Sequence, residues 1–146
     1  MIRRLLCIVV LFLFASCGNT SDKRKQAKEN IGHFATLYFN YDFSGAMDYC
    51  TYESRKWISM IASNVTEADL DILRAQTDGA EAEVIAIFFG QDDTTAVATV
   101  HVANIMLTDT IGRPGHMVEE AEYSIPAVFR SDRWLVKMAC PLRSGK

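Results

Sequence analysis

The chain has 146 residues, a formal charge of −3 and apolar side chains at 49% of its positions. Those figures suit one folded domain with a sizeable core and exclude a disordered, repetitive or low-complexity protein. The acidic balance argues against nucleic acid as a partner.

Arg3 and Arg4 precede an unbroken apolar run from Leu5 to Ala15. At eleven residues the run falls short of the roughly 20 that span a bilayer, and it has the length of an export-signal core. Phe14-Ala15-Ser16-Cys17 closes it. These residues resemble the bacterial lipobox, in which small residues precede a cysteine that receives a diacylglyceryl group before cleavage. The resemblance implies removal of residues 1–16 as a signal peptide, lipidation of Cys17 and acylation, with palmitate or a similar chain, of the new amino terminus. An ordinary secretory signal is the alternative, but Phe14 and Ser16 fit its spaced small-residue pattern poorly. Several acyl chains make membrane attachment effectively permanent, where one holds weakly.

Gly18 follows the cysteine, as in lipoproteins that are passed on to the outer membrane. The expected address is therefore the cell envelope of a Gram-negative bacterium, anchored to the outer membrane. The cluster Lys23, Arg24, Lys25 and Lys28 is basic where surface-exported lipoproteins carry an acidic run, which favours the periplasmic face over the cell surface. Residues 17–24 are expected to form a flexible lipidated tether, and residues 25–146 a single domain. Without residues 1–16 the charge is near −5, because Arg3 and Arg4 are lost.

Ala27, Ile31, Phe34, Ala35 and Tyr38 recur at helical spacing, predicting a helix from Lys25 to Tyr41. Asp42-Phe43-Ser44-Gly45 breaks it, and short helices are expected around Ala46–Tyr49 and Glu53–Ala62. Thr66 and Asp69 form the pattern of a capping box opening a further helix to about Gln76. From Glu83 onwards β-branched and aromatic residues take over. Strands are predicted over Glu83–Phe89, Thr94–Thr108, Val118–Phe129 and Trp134–Met138, with a Gly-Pro-Gly loop between the second and third. In the third, Ala121, Tyr123, Ile125, Ala127 and Phe129 share one face, and Glu120, Glu122 and Ser124 the other. Pro126 there suggests an edge, a bulge or a bend.

Helices followed by four antiparallel strands give an α+β order, with N-terminal helices packed on one face of a curved sheet. Phe34-Ala35-Thr36-Leu37-Tyr38-Phe39-Asn40-Tyr41-Asp42-Phe43-Ser44-Gly45-Ala46-Met47 resembles the opening of nuclear-transport-factor-2-like domains, which belong to the cystatin-like α+β group. Phe129-Arg130-Ser131-Asp132-Arg133-Trp134-Leu135-Val136-Lys137 is similar to their last hairpin. The resemblance implies a cone-shaped α+β domain with a pocket at its open end, of a kind found in many bacterial lipoproteins of unknown function. Some relatives are isomerases or dehydratases; others bind small molecules or dimerise, so fold alone does not choose.

No catalytic constellation stands out. His33, His101 and His116 lack metal-ligand spacing, no serine sits in a nucleophile-elbow pattern, and no cofactor motif is present. Asp42, Tyr38 and His101 are the acid–base candidates for an isomerase or lyase, with a turn role favoured for Asp42. Phe34, Tyr38, Trp57, Tyr123, Phe129 and Trp134 are candidates to line a pocket, or else plain core. Cys50 and Cys140 are candidates for a disulfide, which in an oxidising compartment would stabilise by up to roughly 4–5 kcal/mol across a loop of this length. Alternatively they are unpaired thiols. The reading is a lipid-anchored, non-catalytic domain that binds a small apolar ligand or an envelope protein, with no cofactor or metal. The alternatives are a pocket enzyme of isomerase or lyase type and a structural accessory lipoprotein that forms homodimers.

Overall fold

The computed structural model describes residues 15–108 and 112–145. Residues 1–14, with all of the apolar run but Ala15, lie outside the described residues. Helix α1 (Ala15–Phe39) is followed by the short helix α2 (Phe43–Ala46), two single 3-10 turns, α3 (Arg55–Ser63) and α4 (Glu67–Ala75). Strands β1 (Glu81–Phe89), β2 (Thr95–Leu107), β3 (His116–Arg130) and β4 (Arg133–Val136) pair antiparallel in sequence order, and a two-residue β5 (Ser144–Gly145) pairs with β3. The fold is α+β: helices packed on one face of a curved antiparallel sheet. The fifth strand has no periodicity to betray it.

The helical stripe read from α1 is the buried one. Ala27, Ile31, Phe34 and Ala35 are at most 1% exposed. They pack on the inner sheet face made by Val100, Val102, Ile125, Ala127 and Trp134. Alternation along β3 holds, with Tyr123, Ile125 and Ala127 inward and Glu120, Glu122 and Ser124 outward. A bulge between Val84 and Ala86 turns Ile85 out to solvent.

Pro126 sits inside the β2–β3–β4 sheet without breaking it. Phe129 N donates across to Thr94 on the β2 side, so by alternation the N–H of residue 126 would point towards β4. There it meets the end of β4, and its carbonyl still accepts from Lys137 N at 2.9 Å. The missing donor is thus removed from an edge, as proline in a sheet requires.

The segment expected to be a flexible tether is helical from Ala15 onwards and docks on the sheet. Lys23 Nζ lies 4.1 Å from the centre of the Phe129 ring, and Trp134 Nε1 donates to Lys23 O at 2.9 Å. Arg24 stacks over Phe89 and pairs with Asp93 at 3.0 Å. Cations on aromatic faces, with an indole N–H on the backbone, hold the helix start against the β1–β2 and β3–β4 turns. The interior is therefore filled at the end where α1 begins.

Cys50 and Cys140 are free thiols, so the bridge weighed for them is not made. Cys50 is buried next to Val136, its Sγ donating to Met47 O, whereas Cys140 is exposed beyond β4. Burial pushes the Cys50 thiol pKa up, against a lowering by Arg55.

Candidate functional site

At the other end of α1 the interior is open. A half-open cleft of about 600 Å³ lies between the end of α1, the turn into α2, α3, the end of β2 and the C-terminal segment. That volume is in the range of small-molecule sites, roughly 300–1,000 Å³. Tyr38, Phe39, Ile105 and Tyr123 form its floor; Met60, Leu107 and Leu142 stand around it.

The walls are positioned by local chemistry. Asn40 at the end of α1 clamps Ala80 before β1: its Nδ2 donates to Ala80 O and its Oδ1 accepts from Ala80 N, both at 2.9 Å. Asp42 accepts from Gly45 N at 2.9 Å and caps α2, which turns the chain around the cleft rim. Tyr41 Oη donates to Met106 O at 3.2 Å, tying that rim to β2.

The capping box read at Thr66 is formed, and Asp69 does more than complete it. One carboxylate oxygen accepts from Thr66 N at 2.8 Å; the other accepts from Gly115 N at 2.6 Å. The Gly115 amide first, then that of Thr66, hold the Asp69 carboxyl below the ordinary aspartate value. A Cβ at Gly115 would stand 3.0 Å from Leu107 O, so only glycine lets the loop close this near β2. The cleft wall at Met106, Leu107 and Thr108 is thus held from both sides.

Of the aromatic residues expected in a pocket, Tyr38 and Tyr123 line the cleft. Phe34 lies beneath it, fully buried and stacked on Tyr38 at 5.3 Å. Trp57 is half-buried on α3, with Lys56 over its ring. Phe129 and Trp134 belong to the filled end, because the start of α1 docks on them. Phe39, Phe43, Ile105 and the C-terminal Pro141–Ser144 line the cleft without having been anticipated.

The acid–base candidates do not converge. His101 lies on the outer sheet face, its Nε2 3.1 Å from Glu120 Oε2. Asp42 is engaged by Gly45, and burial raises the Tyr38 phenol pKa far above the ordinary tyrosine value, with Tyr123 and Tyr41 adding to the rise. His33 stacks on Tyr49, and His116 is exposed at the start of β3. Among the described residues no three His, Cys, Asp or Glu side chains group to hold a metal, and no helix is long and apolar enough to cross a membrane. Among the described residues, the side chains lining the cleft are apolar, aromatic or neutral polar except for Arg143. Geometry of this kind can hold an apolar body and a few hydrogen-bonding groups.

Fold and cleft define a small α+β domain with a mainly apolar half-open cleft at one end of its sheet. No family model matches the chain, and no curated protein is significantly similar to it. Solved structures do resemble it. The Kfla4162 protein from Kribbella flavida is 17% identical, with 86% of this chain and 93% of that one covered and a TM-score of 0.49. An Ntf2-like protein involved in plasmid conjugation is 15% identical, covering 84% of this chain and 49% of that one, with a TM-score of 0.37. The intermembrane space region of the chloroplast protein ARC6 is 10% identical, with coverages of 89% and 94% and a TM-score of 0.45.

Proposed function

We propose that the chain is a lipoprotein, anchored to the periplasmic face of the outer membrane through Cys17, whose domain binds a small, largely apolar ligand without transforming it. The cleft carries this reading. It has the volume of a small-molecule site, and tyrosine, phenylalanine and aliphatic side chains wall it. The carboxylate and imidazole that an isomerase or lyase would need are engaged elsewhere: Asp42 by Gly45 N and His101 by Glu120. The lipobox-like Phe14-Ala15-Ser16-Cys17 and the short apolar run before it support the anchor.

A native mass spectrum of the protein extracted from its own envelope tests both parts. The expected result is a mass increased by acyl chains at Cys17, together with a retained adduct of small-molecule size. A bare polypeptide would overturn both; an acylated protein without adduct in every preparation would move the reading to an envelope protein partner. Replacing Cys17 with alanine should release the chain from the membrane fraction, and retention there would refute lipidation.

A further inference from the structure

The C-terminal segment builds one wall of the cleft, and it brings the one charged group among the described residues that line it. After β4 the chain runs on along the free edge of β3, where β5 pairs Ser144 with Tyr123 and Gly145 with Glu122. Pro141, Leu142, Arg143 and Ser144 thereby come to line the cleft beside Tyr123. Leu142 is half-buried against the core, while Arg143 is exposed at the mouth.

Arg143 forms none of the ion pairs found among the described residues: those present join Arg24, Lys25, Arg74 and Arg130 to their acids. Among the described residues no carboxylate lines the cleft to neutralise it. Among the described residues the cleft therefore presents an apolar interior with one guanidinium, in no ion pair, at its entrance. A guanidinium binds a carboxylate through two parallel N–H···O bonds, and one such group balances one negative charge. A phosphate dianion would leave charge uncompensated here, and a cationic head would be repelled.

Resting on the reading of the cleft as a ligand site, we infer that its ligand is a single-chain amphiphile with a carboxylate head. The hydrocarbon lies between Tyr38, Phe39, Ile105 and Tyr123, and the head is held by Arg143. Specificity for the anion then comes from the C-terminal segment, and affinity for the chain from α1 and the sheet. The hydroxyl of Tyr41 takes no part, because it already donates to Met106 O.

The test is equilibrium binding of three probes of equal chain length, decanoate, decanol and decyltrimethylammonium, to the full lipidated protein in phosphatidylcholine vesicles, with empty vesicles subtracted. Decanoate should bind about fivefold more tightly than decanol, the scale of an exposed ion pair at its favourable end. Decyltrimethylammonium should bind most weakly. Arg143→Gln should bring decanoate down to the level of decanol, and Arg143→Lys should keep most of the difference. Arg143 is exposed, so neither variant disturbs the core. Equal binding of decanoate and decanol, or a preference that survives Arg143→Gln, overturns the carboxylate assignment while leaving the apolar cleft as a ligand site. Binding of none of the three overturns the ligand-site reading with it.

Discussion

Asp69→Ala is the substitution whose consequence the structure fixes most tightly. The side chain is 1% exposed, and its two oxygens accept from Gly115 N and Thr66 N. A hydrogen bond to a charged group contributes roughly 1.5–3 kcal/mol, and losing a helix cap costs about 1 kcal/mol. The Thr66 amide is near solvent and can be rehydrated, whereas the Gly115 amide faces the vacated space. The expected loss is about 3 kcal/mol at pH 7, read by urea unfolding. Acid should reduce it. Because the folded pKa lies below the ordinary 3.8, the carboxylate's contribution is complete above that value and fades as pH falls through the folded one. The gap between the two proteins should thus be level from neutral pH to about 5 and narrow below about 4. Asp69→Asn, which keeps one acceptor oxygen, should recover part of the loss. A gap under 1 kcal/mol at neutral pH, or one that widens in acid, would refute the reasoning.

Three further outcomes are expected. Trp134→Ala removes a fully buried ring and its bond to Lys23 O, so it should cost roughly 3–5 kcal/mol, seen as a fall in Tm of about 10–20 °C by calorimetry. Glu53 is held down to about 2, first by its own backbone amide and then by Arg130, so Arg130→Ala should move its carboxyl titration part of the way back up, followed by NMR; no movement would discount the ion pair. Alkylation of the native protein followed by peptide mapping should label Cys140 and leave Cys50 unlabelled until urea is added, and protection of both would mean that they are bonded after all.

Periodicity made the architecture legible. The spacing of Ala27, Ile31, Phe34 and Tyr38 marked the buried stripe of α1, and alternation in β3 separated Tyr123 and Ile125 from Glu120 and Glu122. Thr66 and Asp69 announced a capping box through a rule that acts over three residues. The site was less legible, because its walls come from segments distant in sequence. Phe129 and Trp134 have the same character as Tyr123, and only the docking of Lys23 assigns them to the filled end. The bond from Gly115 to Asp69 spans 46 positions, and the short β5 pairing leaves no pattern in the chain. Cys50 and Cys140 illustrate the same limit: two thiols in one small domain suggest a bond, and only geometry decides.

The 25-residue α1 is also a strut. At about 1.5 Å per residue, the backbone at Cys17 and that at Tyr38 are separated by roughly 32 Å along one helix axis. If Cys17 carries acyl chains, the cleft mouth therefore lies at the opposite end of the helix from the anchor. A spin label at position 143, exposed at the cleft mouth, should then stay accessible to water-soluble relaxers and not to oxygen dissolved in the bilayer. Because the strut has no joint, inserting a single alanine after Gly18 would swing the domain about its own axis by about 100° while lifting it by hardly more than an ångström. A protein that works with a neighbour in the same membrane would feel that rotation far more than the change in height.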